Sequence, residues 1–201
     1  EIGYPYIFFN DKANQGAPEV YKEKDLKILA SNLCTEIMLP SNENWSFVCV
    51  LSSLNVLHYD KWKDTDAVET MVYFLDAVIT EFLDKLDVYR DSADREDRQT
   101  FLFMERAYNF AKENRALGLG VLGWHSLLQS KKLAFSSQGS YDLNTEIFKL
   151  IKEKSYKASE ELADRFGEPE VMKGYGRRNA TLNAIAPTTS SAFILGQVSQ
   201  G

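Results

Sequence analysis

Residues 31–37 read SNLCTEI, which places Asn32, Cys34 and Glu36 at alternate positions. On an extended chain successive side chains point to opposite faces, so an amide, a thiol and a carboxylate share one face while Leu33, Thr35 and Ile37 share the other. Cys34 has three readings. As a small buried hydrophobe it would do no chemistry. As a thiolate nucleophile it has the wrong neighbour, because a carboxylate raises a thiol pKa. One-electron chemistry meets no such objection: hydrogen-atom transfer uses S–H, and Glu36 is then free to act on a substrate. Cys49 is the only other cysteine.

Three further patterns bear on chemistry. The run PTTSS at 187–191 lies between apolar LNAIA and AFILG. Its backbone N–H groups and hydroxyls suit a phosphate at a loop or helix start, although taken alone an ordinary Ser/Thr helix cap is the better reading. GLGVLG at 118–123 has G-x-G-x-x-G spacing, but the helix end KENRAL precedes it where the dinucleotide motif needs a strand. Glycines allowing close packing where a buried strand meets a helix is the better reading. The two histidines, His58 and His125, with no C-x-x-C, give no metal site, and His125 reads as a packed or capping residue.

The elements that must position these groups alternate between strands and helices. Tyr4 to Asn10 reads as a buried strand closed by a turn at DKANQG, and Ala17 to Asp25 as polar connection. SNLCTEIMLP stops at Pro40, and Trp45 to Val50 reads as a second strand, paired so as to bring Cys49 back towards Cys34. From Ala67 to Val88 apolar residues recur at three and four, which predicts an amphipathic helix. After a charged loop, RDSADREDRQ, a helix is expected over Thr100 to Asn114, a short buried strand at ALGLGVL, and a helix start at WHSLLQSKK. A long helix over Leu143 to Phe166 stops at GEPE, and NATLNAIA reads as a last strand. The pattern predicts one helix-rich α/β domain over 1–201 with parallel strands.

Composition narrows the partners. A net charge of −6 on 201 residues argues against nucleic acid and anionic membrane. Two cysteines form no secreted framework and fit a reducing, cytoplasmic setting. No apolar run reaches the roughly 20 residues a membrane span needs. The start at Glu1 and the finish at Gly201 read as those of a piece cut from a longer chain.

Several of these stretches together resemble one family. SNLCTEI resembles the finger loop of the ribonucleotide reductase large subunit, with its Asn-Leu-Cys-x-Glu core. FVCVLSSLN is similar to the segment bearing a second active-site cysteine, RALGLGVLGWHSLL to a glycine-bearing barrel strand and helix, and TLNAIAPTTSSAFILG to the substrate-phosphate loop. GYPYIFFNDKAN resembles the lead-in to the finger, so the resemblance spans the chain. It implies part of a ten-stranded α/β barrel that reduces ribonucleoside diphosphates. Cys34 would hold a thiyl radical and Glu36 would act as base on the 3′ hydroxyl. Asn32 would bind the ribose hydroxyls, and Cys49 would be one of two reducing thiols. Leu33 and Thr35 would join these in lining the substrate, while Pro187, Thr188, Thr189, Ser190 and Ser191 would hold the diphosphate.

The same resemblance implies no cofactor in this chain. A radical-generating metal centre is expected in a separate small subunit, thioredoxin or glutaredoxin as reductant, a homodimer of the full subunit, and ATP or dNTP effectors bound outside this segment. No cysteine precedes Cys34, where the family carries its other redox thiol, and the radical-relay tyrosines and terminal thiols are not found here. The chain alone is therefore not expected to turn over. The wording is most like the aerobic class I and leaves the cobalamin-dependent class open. A split-gene or relic fragment that acts only in assembly is the alternative.

Overall fold

A computed structural model describes residues 6–201. Short helices α1 (Asn10–Gly16) and α2 (Glu19–Glu23) precede a long irregular stretch, followed by β1 (Leu51–Asn55) and a helical turn, α3 (Tyr59–Trp62). Next come α4 (Ala67–Arg90), α5 (Arg95–Asn114), β2 (Gly118–Leu122), α6 (Trp124–Ser130), α7 (Gln138–Phe166) and α8 (Thr189–Ile194). The fold is helix-rich around a small parallel sheet.

The long helices form for the reasons the periodicity gives. Val68, Val72, Leu75 and Ile79 bury one stripe of α4, and Ile147, Ile151, Ala158 and Leu162 bury the matching stripe of α7. The ends are set by local chemistry. Asp94 caps α5 by accepting from the Glu96 N–H at 2.7 Å, so the helix begins at Arg95 inside the charged stretch expected to be loop. Ser137 caps α7 through the Ser140 N–H, and Gly167, at φ 80°, ends it ahead of Pro169.

β1 and β2 pair in parallel from Leu51↔Gly118 to Asn55↔Leu122, with α4 and α5 as the crossover that parallel strands require. Leu119 and Val121, with Leu54 packed beside them, join the α4 and α7 core. A second core gathers Val20, Tyr21, Ile28, Ile37, Trp45, Phe110 and Met172 beneath the irregular stretch.

Several expected elements differ. Tyr6 to Phe9 form no strand, Asn10 opens a helix, and Tyr4 and Pro5 lie outside the described residues. DKANQG is helical because the Asn14 amide ties its own turn, through the Asn10 carbonyl, to Ile28 N–H and C=O. The connection at 17–25 holds α2, whose Val20 and Tyr21 are buried. Trp45 to Val50 is not a strand, since α5 takes its polar groups. The Ser46 N–H donates to the Arg106 carbonyl, the Arg106 guanidinium to the Trp45 carbonyl, and the Trp45 indole to Glu113. Ladder bonding starts only where the Gly118 N–H meets the Val50 carbonyl.

NATLNAIA runs parallel to the far side of β2 yet makes one isolated bridge, Leu119↔Asn183. Its side chains intervene: the Thr181 hydroxyl donates to the Leu117 carbonyl at 2.9 Å and the Asn183 amide to the Leu119 carbonyl at 3.3 Å. His125 is exposed as the second residue of α6, neither packed nor, among the described residues, a cap.

Candidate active site

Residues 32–37 form a closed turn, not a strand. The Asn32 N–H donates to the Ile37 carbonyl at 3.2 Å, and the Thr35 N–H to the Asn32 carbonyl at 3.1 Å. Thr35 takes φ 64°, which reverses the chain. The Asn32 side chain works at both ends, accepting from the Ile37 N–H at 3.0 Å and donating to Glu36 Oε2 at 2.7 Å. Amide and carboxylate are therefore brought together by the turn, and the expected strand alternation is replaced. Buried Ile37 anchors the base of the turn in the second core, while Leu33, Cys34 and Thr35 stand exposed at its tip.

Cys49 lies on the segment leading into β1, close enough to the turn to feel its charges. Partial loss of solvent around the thiol pushes Cys49 up, and the Glu36 carboxylate and Cys34 raise it further. A thiol so placed stays protonated at neutral pH. Glu36 and Cys49 share a cleft of about 220 Å³, walled by Met38, Leu51, Gly118 and Ala184. Cys49 feels the charge of Cys34, so the two lie near one another without the expected strand pairing; Cys34 itself does not line the cleft, and both cysteines are free and exposed.

The hydroxyl run follows from the last wall of that cleft. Ala184 donates its N–H to the Leu119 carbonyl, and Pro187 begins three residues later. Thr188 precedes α8 at φ 57° without capping it. Its hydroxyl accepts from the Gly201 N–H at 2.9 Å instead, so the plain helix-cap reading does not hold for Thr188. Thr189 donates to Gln200 at 3.0 Å, and Thr189, Ser190 and Ser191 are exposed. Among the described residues no hydrogen bond joins 187–191 to 32–36. The glycines of β2 pack against this crossing segment, not against a helix: a Cβ on Gly120 would lie 2.1 Å from the Ala184 carbonyl oxygen. Among the described residues, no three His, Cys, Asp or Glu side chains gather as a metal site. No helix among the described residues is long and apolar enough to cross a membrane.

Residues 1–174 match the model of the family described as ribonucleotide reductase, barrel domain. The chain belongs to the ribonucleotide reductase family.

Its described sheet and crossover helices are thus part of an α/β barrel. The alpha subunit of the Actinobacillus ureae class Id ribonucleotide reductase superposes with a TM-score of 0.89 at 56% identity, covering 100% of this chain and 36% of that one. The putative ribonucleoside-diphosphate reductase large subunit of Frog virus 3 is 40% identical over 96% of this chain and 32% of its own length. The large subunit of Invertebrate iridescent virus 3 is 36% identical over 99% of this chain and 30% of its own. The chain thus spans about a third of the length of these two relatives.

One polar group in this reductase fold escapes motif reading. Asp76, on the buried stripe of α4, accepts from Arg115 Nε at 2.8 Å, Arg178 Nε at 3.0 Å and Asn179 Nδ2 at 2.9 Å. Ser159 of α7 completes the cluster by donating to Asn179 Oδ1 at 2.9 Å. Burial pushes the Asp76 carboxyl up, but the Arg115 hydrogen bond and the charges of Arg115 and Arg178 outweigh it and hold the carboxyl below its ordinary 3.8. The signal was present in the sequence: Asp76 follows Val72 by four and precedes Ile79 by three, so a charge sits on an apolar face. Such a charge requires buried partners.

Proposed function

We propose that this chain carries the thiol and carboxylate chemistry of a ribonucleoside-diphosphate reductase large subunit, with Asn32, Cys34, Glu36 and Cys49 as its reacting and orienting groups. The observation that carries the reading is the 2.7 Å Asn32–Glu36 hydrogen bond, with Cys34 on the tip between them and Cys49 in the Glu36 cleft. A Cys34 thiyl radical takes the hydrogen atom from the ribose 3′ carbon, becoming S–H and leaving a carbon radical. Glu36 accepts the 3′ hydroxyl proton, which drives loss of the 2′ hydroxyl as water with a proton from a thiol. Cys49 and a second thiol outside this sequence then supply two electrons and their remaining hydrogen, which forms the new C2′–H bond, and the two sulfurs close to a disulfide. Glu36 returns its proton, and Cys34 returns the hydrogen atom to the 3′ carbon and is again a radical.

The raised Cys49 pKa supports its part, because a proton donor must hold its proton at neutral pH. Leu33 and Thr35 flank the ribose, and Pro187, Thr188, Thr189, Ser190 and Ser191 hold the diphosphate by hydroxyls and amides, which suits a protein of net charge −6. The radical reaches Cys34 from a metal-bearing small subunit, a dithiol protein such as thioredoxin or glutaredoxin resets the disulfide, and nucleotide effectors bind elsewhere on the homodimeric subunit. The setting is the cytoplasm. This segment alone does not turn over.

The test is reconstitution of the complete large subunit containing this chain with its small subunit, a ribonucleoside diphosphate and a dithiol. Cys34→Ala is expected to abolish deoxyribonucleotide formation without moving the melting temperature. Product from the Cys34→Ala subunit overturns the thiyl assignment, and product from this chain alone overturns its dependence on the rest. A complete wild-type subunit that makes no product supports the assembly-only fragment instead.

A further inference from the structure

We infer that Gly120 is a positioning residue for the 187–191 loop: its missing side chain lets the chain at 184–186 cross directly over β2, and this sets where the loop begins. The inference rests on the reading of 187–191 as the diphosphate-binding loop.

The geometry is local and steric. Gly120 pairs with Ser53 in the centre of β2 and is buried. Its backbone is not in the left-handed region, so any L-residue has a conformation available there. Space is what only glycine leaves. A Cβ on Gly120 would sit 2.1 Å from the Ala184 carbonyl oxygen, 3.1 Å from its carbonyl carbon and 3.3 Å from Ile185 Cα. All three are backbone atoms, so relief demands that the chain itself move. Gly118 differs. A Cβ there meets Leu51 Cδ2 at 2.3 Å and Ala184 Cβ at 3.0 Å, both side-chain atoms, and the leucine tip can rotate away.

The crossing segment has little freedom to give. Ala184 is held by the Leu119 carbonyl on one side. On the other, Gly201 N–H meets Pro187 O at 3.4 Å and Thr188 Oγ1 at 2.9 Å. Lifting Ala184 off β2 therefore carries Pro187 and Thr188 with it, and the hydroxyls after them change height relative to the Glu36 and Cys49 cleft. The turn at 32–37 shares no hydrogen bond with the crossing segment among the described residues and meets it only across the cleft that Ala184 walls, so the hydrogen bonds that set Asn32 and Glu36 are kept. Binding of the diphosphate suffers before the chemistry does.

The experiment uses the complete large subunit with its small subunit and compares Gly120→Ala, Gly118→Ala and Ser190→Ala by steady-state kinetics on a ribonucleoside diphosphate. For Gly120→Ala, KM is expected to rise on the order of tenfold or more, with kcat changed much less, since losing a hydrogen bond to a charged phosphate costs about that factor in affinity and removes uniform binding. Gly118→Ala is expected to shift KM in the same direction by a smaller factor. Hydrogen exchange is expected to speed up at 184–188 and to stay unchanged in β1, whereas simple collapse of the strand pair would speed both. Ser190→Ala separates the two readings. If it leaves KM unchanged, the diphosphate reading fails; if it raises KM while Gly120→Ala does not, the positioning role of Gly120 fails. Should Gly120→Ala not fold, Gly118→Ala decides: a raised KM with exchange confined to 184–188 supports the role, and an unchanged KM overturns it.

Discussion

The two sides of this molecule solve the problem of buried polarity in opposite ways. On the helical side, Asp76, Arg115, Arg178, Asn179 and Ser159 satisfy one another in a closed network that ties α4 and α7 to the segments entering β2 and the 181–184 run. On the cleft side, the Asn32–Glu36 pair is half-buried, Cys34 and Cys49 are exposed, and backbone at φ 64° holds the turn. The first arrangement leaves little unsatisfied for a ligand to meet. The second leaves the Glu36 carboxylate and the Cys49 thiol facing a cleft, with Cys34 exposed on the adjoining turn, at the expense of loop strain. Stability and chemistry are therefore separable, and substitutions should move one without the other.

The sharpest break of that contrast is Asp76→Ala. Removing one partner of a buried ion pair leaves two guanidinium groups without their carboxylate, which costs about 3–5 kcal/mol. Chemical denaturation should show that loss, and a variant within about 1 kcal/mol of wild type would mean the network is ornamental. Acid acts on the same group more gradually. Because the folded-state pKa of Asp76 is held below its unfolded value of 3.8, its contribution is fully present above pH 3.8 and is lost as pH falls through the lower folded value. Unfolding midpoints measured downward from pH 5 should therefore fall most steeply below 3.8 in the wild type, and Asp76→Asn should flatten that limb.

Asn32→Ala tests the other side. It removes the donor to Glu36 and the acceptor for the Ile37 N–H, while Ile37 keeps its place in the core. Turnover of the complete enzyme is expected to fall on the order of a hundredfold, the scale for a misoriented catalytic group. The melting temperature should shift by roughly 2–8 °C, as for loss of about 1–2 kcal/mol in a domain of about 200 residues. A large melting shift with turnover intact would make the turn a structural element and move the chemistry elsewhere.

How far the sequence foretold this division follows from the same physics. Periodicity made α4 and α7 readable, because each buries a regular face, and β2 was readable as a short apolar run, buried throughout. The strands expected at 45–50 and 179–186 share one difficulty: the Arg106 and Thr181 side chains take carbonyls that a ladder would use, while the Asn183 amide only shares the Leu119 carbonyl with the Ala184 N–H, and a long-range partner leaves no local pattern. At the candidate site the residue types were legible and their geometry was not. Asn32 and Glu36 do meet, through a turn whose sign is a positive φ at Thr35, a residue that rarely adopts it. The position of Cys49 depended on where β1 begins, which Val50 and Gly118 fix across 68 residues of sequence.

The smallest expected effect probes the seam between the two sides. α5 carries Arg106 and Glu113, which hold the 45–50 segment leading to Cys49, and its own start depends on one cap, Asp94 accepting from the Glu96 N–H. Asp94→Ala should cost about 1 kcal/mol, the usual loss for a helix cap. Arg106 lies about three turns further along the helix, beyond the reach of fraying at the first turn, so the 45–50 segment should keep its bonds. Denaturation is then expected to show the small loss while the reactivity of Cys49 towards a thiol reagent stays the same. A changed Cys49 rate with an intact core would show that α5 transmits disorder from its capped end to the cleft, and the separation between frame and site would not hold.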